Sequence, residues 1–178
     1  MDNVALAAMQ TMLKRTPPDA RLLLDVGSMN VNGTYRETVE TMGLSYTGLD
    51  IEAGPNVDVV TADPYSFPFA DNSYDVVISG STMEHVREVW RWVPELVRVL
   101  RPGGLLAIVT HTSWPEHRWP VDCWRVMVDG MALLFDLTDR LSDYDIGYLK
   151  DDSGQFKPYE TGKRGTTHIA GSAIKCAF

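Results

Sequence analysis

LLLDVGSMNVNGTYR, residues Leu22 to Arg36, decides how the chain is read. A short, continuously apolar run ends at Asp25 and Val26, a loop follows, and TYRETVETMG then carries helical spacing up to a closing Gly43. A strand covered on both faces reads as such a run, and glycine just past a helix is a stop signal. The unit is strand, loop, helix. Loops of this kind use several glycines, as in GxGxxG, where the backbone must turn tightly and approach a pyrophosphate at a helix N-terminus. Here Gly27 is followed by Ser28, Met29, Asn30, Val31 and Asn32 before Gly33. No second glycine stands where a pyrophosphate would need it, which disfavours a nicotinamide or flavin; a nucleoside ligand without phosphates tolerates side chains there. Asn30 and Asn32 accept left-handed backbone better than most residues.

Working outward, SYTGLDI and VDVVTAD supply two further short strands and SYDVVISG a fourth. Asp50 ends the second strand about twenty residues beyond the loop, where a carboxylate can accept hydrogen bonds from both ribose hydroxyls. From Val86 to Leu100 the set Val86, Val89, Trp90, Val93, Val97 and Leu100 predicts a helix, kinked or broken at Pro94 and stopped by RPGG at Arg101 to Gly104. LLAIVTHTS predicts a fifth strand, VDGMALLFDL another helix, and SDYDIGYLK and HIAGSAIKC a closing antiparallel pair. Before the first strand, Ala5, Ala8, Met9, Met12 and Leu13 predict an amphipathic helix rather than a signal peptide, ended by TPPD at Thr16 to Asp19.

Alternation of this kind predicts one α/β domain: a doubly wound, Rossmann-like sheet of seven mostly parallel strands with an antiparallel last strand and helices on both faces. Within 1–178, residues 1–18 form an N-terminal helix and linker, 19–110 a ligand-binding core, and 111–178 a substrate loop and the closing strands. With 16 basic against 24 acidic residues the net charge is −8, which argues against a protein built to grip nucleic acid. Cys123 and Cys176 lack CxxC spacing, so a reduced, cytoplasmic compartment is the default, and no segment reads as a membrane span.

Taken together, LLLDVGSMNVNG, YTGLDI, VTADPYSFPFADNSYDVVISGSTMEHV and VPELVRVLRPGGLLAIV resemble the class I S-adenosylmethionine-dependent methyltransferases, in particular the small type 11 group. The resemblance runs from Leu22 to Val109. It implies S-adenosylmethionine as cofactor, with Asp25 and Gly27 at its methionine end and Asp50 on its ribose. Asp63 would approach the adenine amino group, although an Asp before Pro64 also suits a turn cap. Ser79 and Gly80 would be backbone contacts, with Ser28, Gly33, Ile51, Pro64 and His85 completing the cofactor set. The family's loop is acid-x-Gly-x-Gly-x-Gly, and this chain departs from it at Met29 and Val31.

His111, Trp114, His117, Trp119, Asp122, Trp124 and Arg125 crowd into fifteen residues after the fifth strand. Their types and spacings match no standard zinc set, so no metal is expected. A wall for a small-molecule acceptor is the functional reading, with His111, Trp114, His117, Asp122, Trp124 and Arg125 as substrate residues. The sulfonium already activates the methyl group, so orientation and water exclusion carry much of the work. If the acceptor must lose a proton, His85, His111 or His117 is the candidate base. The alternative function is an inactive cofactor-binding or regulatory module of the same fold. Little chain remains for a cap over the pocket, so a homodimer or partner protein is a candidate for completing it. Asp151 with Asp152, and the basic GKRG at Gly162 to Gly165, read as solvated loop.

Overall fold

The computed structural model describes residues 2–149 and 167–176. Asp151, Asp152 and the GKRG segment lie outside the described residues. Seven strands form one sheet in the order β3-β2-β1-β4-β5-β7-β6: β1 Leu22–Val26, β2 Ser45–Asp50, β3 Val59–Val60, β4 Tyr74–Gly80, β5 Leu100–His111, β6 Leu141–Leu149 and β7 His168–Lys175. The first five run parallel, whereas β7 pairs antiparallel with both β5 and β6. Strand order reverses between β1 and β4, so the carboxyl ends of β1, β2, β4 and β5 open on a common crevice.

Alternation along each strand splits the core into two layers. Leu24, Val26, Val77, Leu106 and Ile108 face one side, with α3 (Val89–Val99) and α4 (Val128–Asp136). Leu23, Val76, Ile78, Leu105 and Val109 face the other, with α1 (Asn3–Leu13) and α2 (Arg36–Thr41). All five residues expected on the inner face of α1 are buried. Asp2 caps that helix, its carboxylate accepting the Ala5 N–H at 2.9 Å, and α1 crosses β5 and β7 so that this cap lies at the crevice.

Two boundaries differ from expectation. The break predicted at Pro94 falls earlier: a single 3₁₀ turn, Met83–His85, is followed by a turn through Val86 and Glu88, and α3 then runs uninterrupted through Pro94. Proline removes only the bond to the carbonyl of Trp90, which is exposed, while Trp92, Val93, Leu96 and Val97 bury the opposite face and hold the helix together. Trp90 is therefore not part of the inner stripe, and Trp92 is. RPGG does not separate helix from strand; it lies inside β5 as an irregularity, with Tyr74 paired to Leu100 but Val76 already paired to Leu105.

Candidate functional site

A cleft of about 740 Å³ opens at the reversal point, within the range of sites that enclose drug-sized ligands. Its floor is the loop Gly27–Thr34 and the ends of β2 and β4, and the segment from Trp114 to Val121 roofs it.

The departures at Met29 and Val31 are accommodated without left-handed backbone. Neither Asn30 nor Asn32 has positive φ, so the expected use of asparagine there is corrected; Gly27, at +80°, and Gly33, at +138°, do the turning. Asn30 braces the loop instead: its side-chain oxygen accepts the Gly33 N–H at 2.8 Å and its own N–H reaches the Pro55 carbonyl at 2.9 Å. Gly27 is fixed for a second reason, because a Cβ there would overlap the Thr82 side chain. Asn30→Ala is expected to cost about 1 kcal/mol of stability, read by urea unfolding; no change would mean the brace contributes nothing.

Asp50 stands at the end of β2 with one oxygen accepting the Met29 N–H at 2.9 Å and the other accepting the Ile51 N–H at 2.7 Å. Both oxygens keep lone pairs, and Asp50 and Ile51 line the cleft. Asp25, at the end of β1, is buried and accepts the Tyr46 hydroxyl at 2.5 Å. Burial pushes its pKa up to about 7, against the opposing hydrogen bond from Tyr46. Beside them the Tyr35 hydroxyl is buried with no hydrogen-bond partner among the described residues, over Gly80, whose missing Cβ leaves room for the ring.

Several expected residues lie elsewhere. Asp63 is exposed and caps a turn by accepting the Tyr65 N–H at 2.9 Å, whereas Pro64 lines the cleft. The Ser79 hydroxyl bonds the Val26 carbonyl and ties β4 to β1, so Gly80 rather than Ser79 meets the cleft. Ser28 does line the cleft, although its hydroxyl turns toward the Asn56 carbonyl at 3.3 Å. Asp122 and Arg125 form a two-pronged ion pair at 2.6 and 2.7 Å, and Asp122 also accepts the His117 N–H at 2.7 Å; together they brace the roof from behind. The Trp124 indole N–H is committed to the Val86 carbonyl at 2.6 Å.

At the far end of the cleft all four histidines converge. The ring of His111 lies 5.3 Å from that of His117 and 4.7 Å from that of His168, and His85 lies 4.9 Å from His117. Beneath them is Glu84, fully buried, one oxygen accepting His111 Nδ1–H at 2.6 Å and the other the Thr110 hydroxyl at 2.8 Å. Burial alone would raise the Glu84 pKa, but the bonds from His111 and Thr110 outweigh it and hold the carboxyl below its usual range. His111 donates from Nδ1, which leaves Nε2 as its basic nitrogen. Glu84, His168, Tyr35 and Asp2 were not among the expected site residues. His168 enters because the antiparallel register sets it directly opposite His111, a pairing that the spacing in sequence does not advertise.

Residues 24–108 match the family described as "Methyltransferase domain". An uncharacterized methyltransferase of Mycobacterium sp. (strain KMS) is 39% identical over 108 residues, covering 56% of this chain and 42% of that protein. The chain thus aligns with about two fifths of the length of the curated relatives it matches. Among solved structures, a chain from the complex between the Haloferax volcanii Trm112 methyltransferase activator and a methyltransferase superimposes with a TM-score of 0.71 at 18% identity, covering 99% of this chain and 91% of that one. A SAM-dependent methyltransferase from Archaeoglobus fulgidus gives 0.68 at 15% identity, with 94% and 93% covered. The aligned core, its strand order and the reversal-point cleft thus liken residues 24–108 to the methyltransferase domain family, and the solved structures share the fold of the chain.

Proposed function

We propose that the protein transfers a methyl group from S-adenosylmethionine to a small acceptor held under the Trp114–Val121 roof. The observation that carries this reading is one cleft with two chemically distinct ends. Asp50, with unused lone pairs, closes the β2 end, and the Glu84–His111 pair closes the other.

The residues present fit the cofactor. Asp50 offers a carboxylate to a pair of ribose hydroxyls, while buried Asp25 and the unpartnered Tyr35 hydroxyl offer an anion and a donor to an amino-acid moiety. Ile51, Pro64, Tyr65 and Phe67 supply an apolar wall for a base. When bound, S-adenosylmethionine supplies a methyl carbon made electrophilic by its sulfonium.

Everything else falls to the chain. Trp114 and Trp119 line the roof of the cleft, where they would shield a bound acceptor from water. His111, oriented by Glu84 through Nδ1, keeps Nε2 free to take a proton from an acceptor hydroxyl or ammonium. His85 donates Nδ1–H to the Val121 carbonyl at 2.6 Å, which fixes the roof to the 3₁₀ turn.

Calorimetric titration with S-adenosylhomocysteine tests the reading. Saturable binding at one site is expected, weakened about 30- to 100-fold by Asp50→Ala through loss of charged hydrogen bonds to the ribose. Absence of binding by the unaltered protein would remove the proposal, as would binding indifferent to Asp50.

A further inference from the structure

The geometry points to a divalent transition-metal site made by Glu84, His85 and His117 at the acceptor end of the cleft. One ligand atom from each of the three lies within 4.8 Å of the other two, and His85 Nε2 stands 4.0 Å from Glu84 Oε1. Ligands about 2.0–2.2 Å from a tetrahedral ion stand a little over 3 Å apart, so closing the set takes side-chain movements of about an ångström.

Hydrogen bonding around the cluster has the form a metal site requires. Imidazole ligands are held by donating their other N–H to a carbonyl or carboxylate, which fixes the tautomer and aims the remaining lone pair. His85 gives Nδ1–H to the Val121 carbonyl at 2.6 Å. His117 gives Nδ1–H to the Pro115 carbonyl at 3.1 Å, with Asp122 3.4 Å away on the same side. Among the described residues, Nε2 of neither ring makes a hydrogen bond, and that of His85 faces Glu84 Oε1 at 4.0 Å. His111 plays the same outer role toward Glu84, holding Oε1 from behind at 2.6 Å. Two imidazoles and one carboxylate suit Zn²⁺ or Fe²⁺, not Mg²⁺ or Ca²⁺, which prefer all-oxygen surroundings.

Three protein ligands leave a coordination position open, and His85 and His117 both line the cleft. That position suits an oxygen ligand, such as a hydroxyl-bearing acceptor. The spacing of Glu84, His85 and His117 in sequence follows no zinc motif because the set is assembled from the 3₁₀ turn after β4 and the roof after β5. Metal binding of this kind does not depend on S-adenosylmethionine.

The test uses the metal-stripped, untagged full chain titrated with Co²⁺ and with Zn²⁺. One equivalent of either ion is expected to bind, Co²⁺ with the intense visible bands of a low-coordinate site, and Zn²⁺ with a concentration-dependent rise in Tm. His85→Ala and His117→Ala should each weaken binding at least about tenfold. Both side chains are partly exposed, and circular dichroism checks that the variants fold; should one not, Glu84→Gln takes its place. Cys123→Ser should leave binding unchanged. Absence of stoichiometric binding, or binding that survives both histidine substitutions, overturns the site. Parallel titration with S-adenosylhomocysteine separates the two readings: cofactor bound without metal removes only the metal site, and metal bound without cofactor removes only the methyl-transfer proposal.

Discussion

Glu84→Ala is expected to destabilise the protein by about 3–5 kcal/mol, the combined loss of two buried hydrogen bonds to a charged carboxylate and of the packing it fills. Glu84 has no exposed surface, and both of its oxygens are used, by His111 Nδ1 at 2.6 Å and by the Thr110 hydroxyl at 2.8 Å. Alanine leaves two buried donors without acceptors and a cavity under the 3₁₀ turn. Its backbone carbonyl still receives the Cys123 N–H at 2.7 Å, so the roof remains attached and the loss is that of the side chain. Glu84→Gln separates folding from chemistry. The amide is nearly the same size and its oxygen accepts from Thr110, while its NH₂ faces His111 and forces the ring to accept at Nδ1, which moves the proton to Nε2. Most of the stability should return, and methyl transfer to an acceptor that must lose a proton should stay depressed by about two to four orders of magnitude. Urea unfolding of the three proteins measures the first effect. A loss below 1 kcal/mol in the alanine variant would mean that His111 and Thr110 find other partners.

The same residues show how far sequence alone reaches. The alternation of strands and helices, the antiparallel close and the carboxylates at the ends of β1 and β2 were legible because each depends on local features: an apolar run, a terminal Asp and a turn. Asp50 needed only its register relative to Gly27 to be singled out, and it lines the cleft. The histidine end was half legible. His85, His111 and His117 attracted notice by type, but Glu84 reads equally well as an acid at the start of a helical turn. Its burial and its bond to His111 are products of β4 and β5 lying side by side. His168 and Asp2 are more distant still, one placed by antiparallel pairing with β5 and the other by α1 crossing the sheet. Asp122 and Arg125 illustrate the opposite error. Charged residues in a functional stretch read as ligand contacts, yet here their charges are spent on each other, and the guanidinium of Arg125 holds the Asp122 carboxyl well below the usual carboxylate range. The loop between Gly27 and Gly33 shows why motif spelling is an imperfect guide: what the missing glycines would do by backbone freedom, Asn30 does by a hydrogen bond.

Asp25→Asn should stabilise the protein at pH 8 by up to about 4 kcal/mol and change it little at pH 4. Burial raises the Asp25 pKa from 3.8 to about 7, with the Tyr46 hydroxyl opposing the shift, the Asp50 charge adding to it and the Arg36 guanidinium opposing it; the neutral Tyr35 phenol stands nearby. Because the folded pKa lies above the unfolded one, the folded state binds the proton more tightly. Its contribution is complete below pH 4, declines as the unfolded chain ionises between pH 4 and 7, and levels off above pH 7, where both states are charged. A displacement of about three pKa units corresponds to about 4 kcal/mol over that window. Asparagine accepts the Tyr46 hydroxyl as aspartate does but does not ionise, so the difference between the two proteins isolates this group from Asp58, Asp75 and Asp122, whose lowered values weaken the fold in acid instead. Urea midpoints of both proteins between pH 4 and pH 8 measure it, and a constant offset across the range would contradict the assignment. An acidic side chain that costs the fold this much at neutral pH is suited to a cation brought to it by a ligand. In S-adenosylmethionine the α-ammonium and the sulfonium are the groups of that charge. Asp25→Asn should therefore gain stability and lose cofactor affinity together.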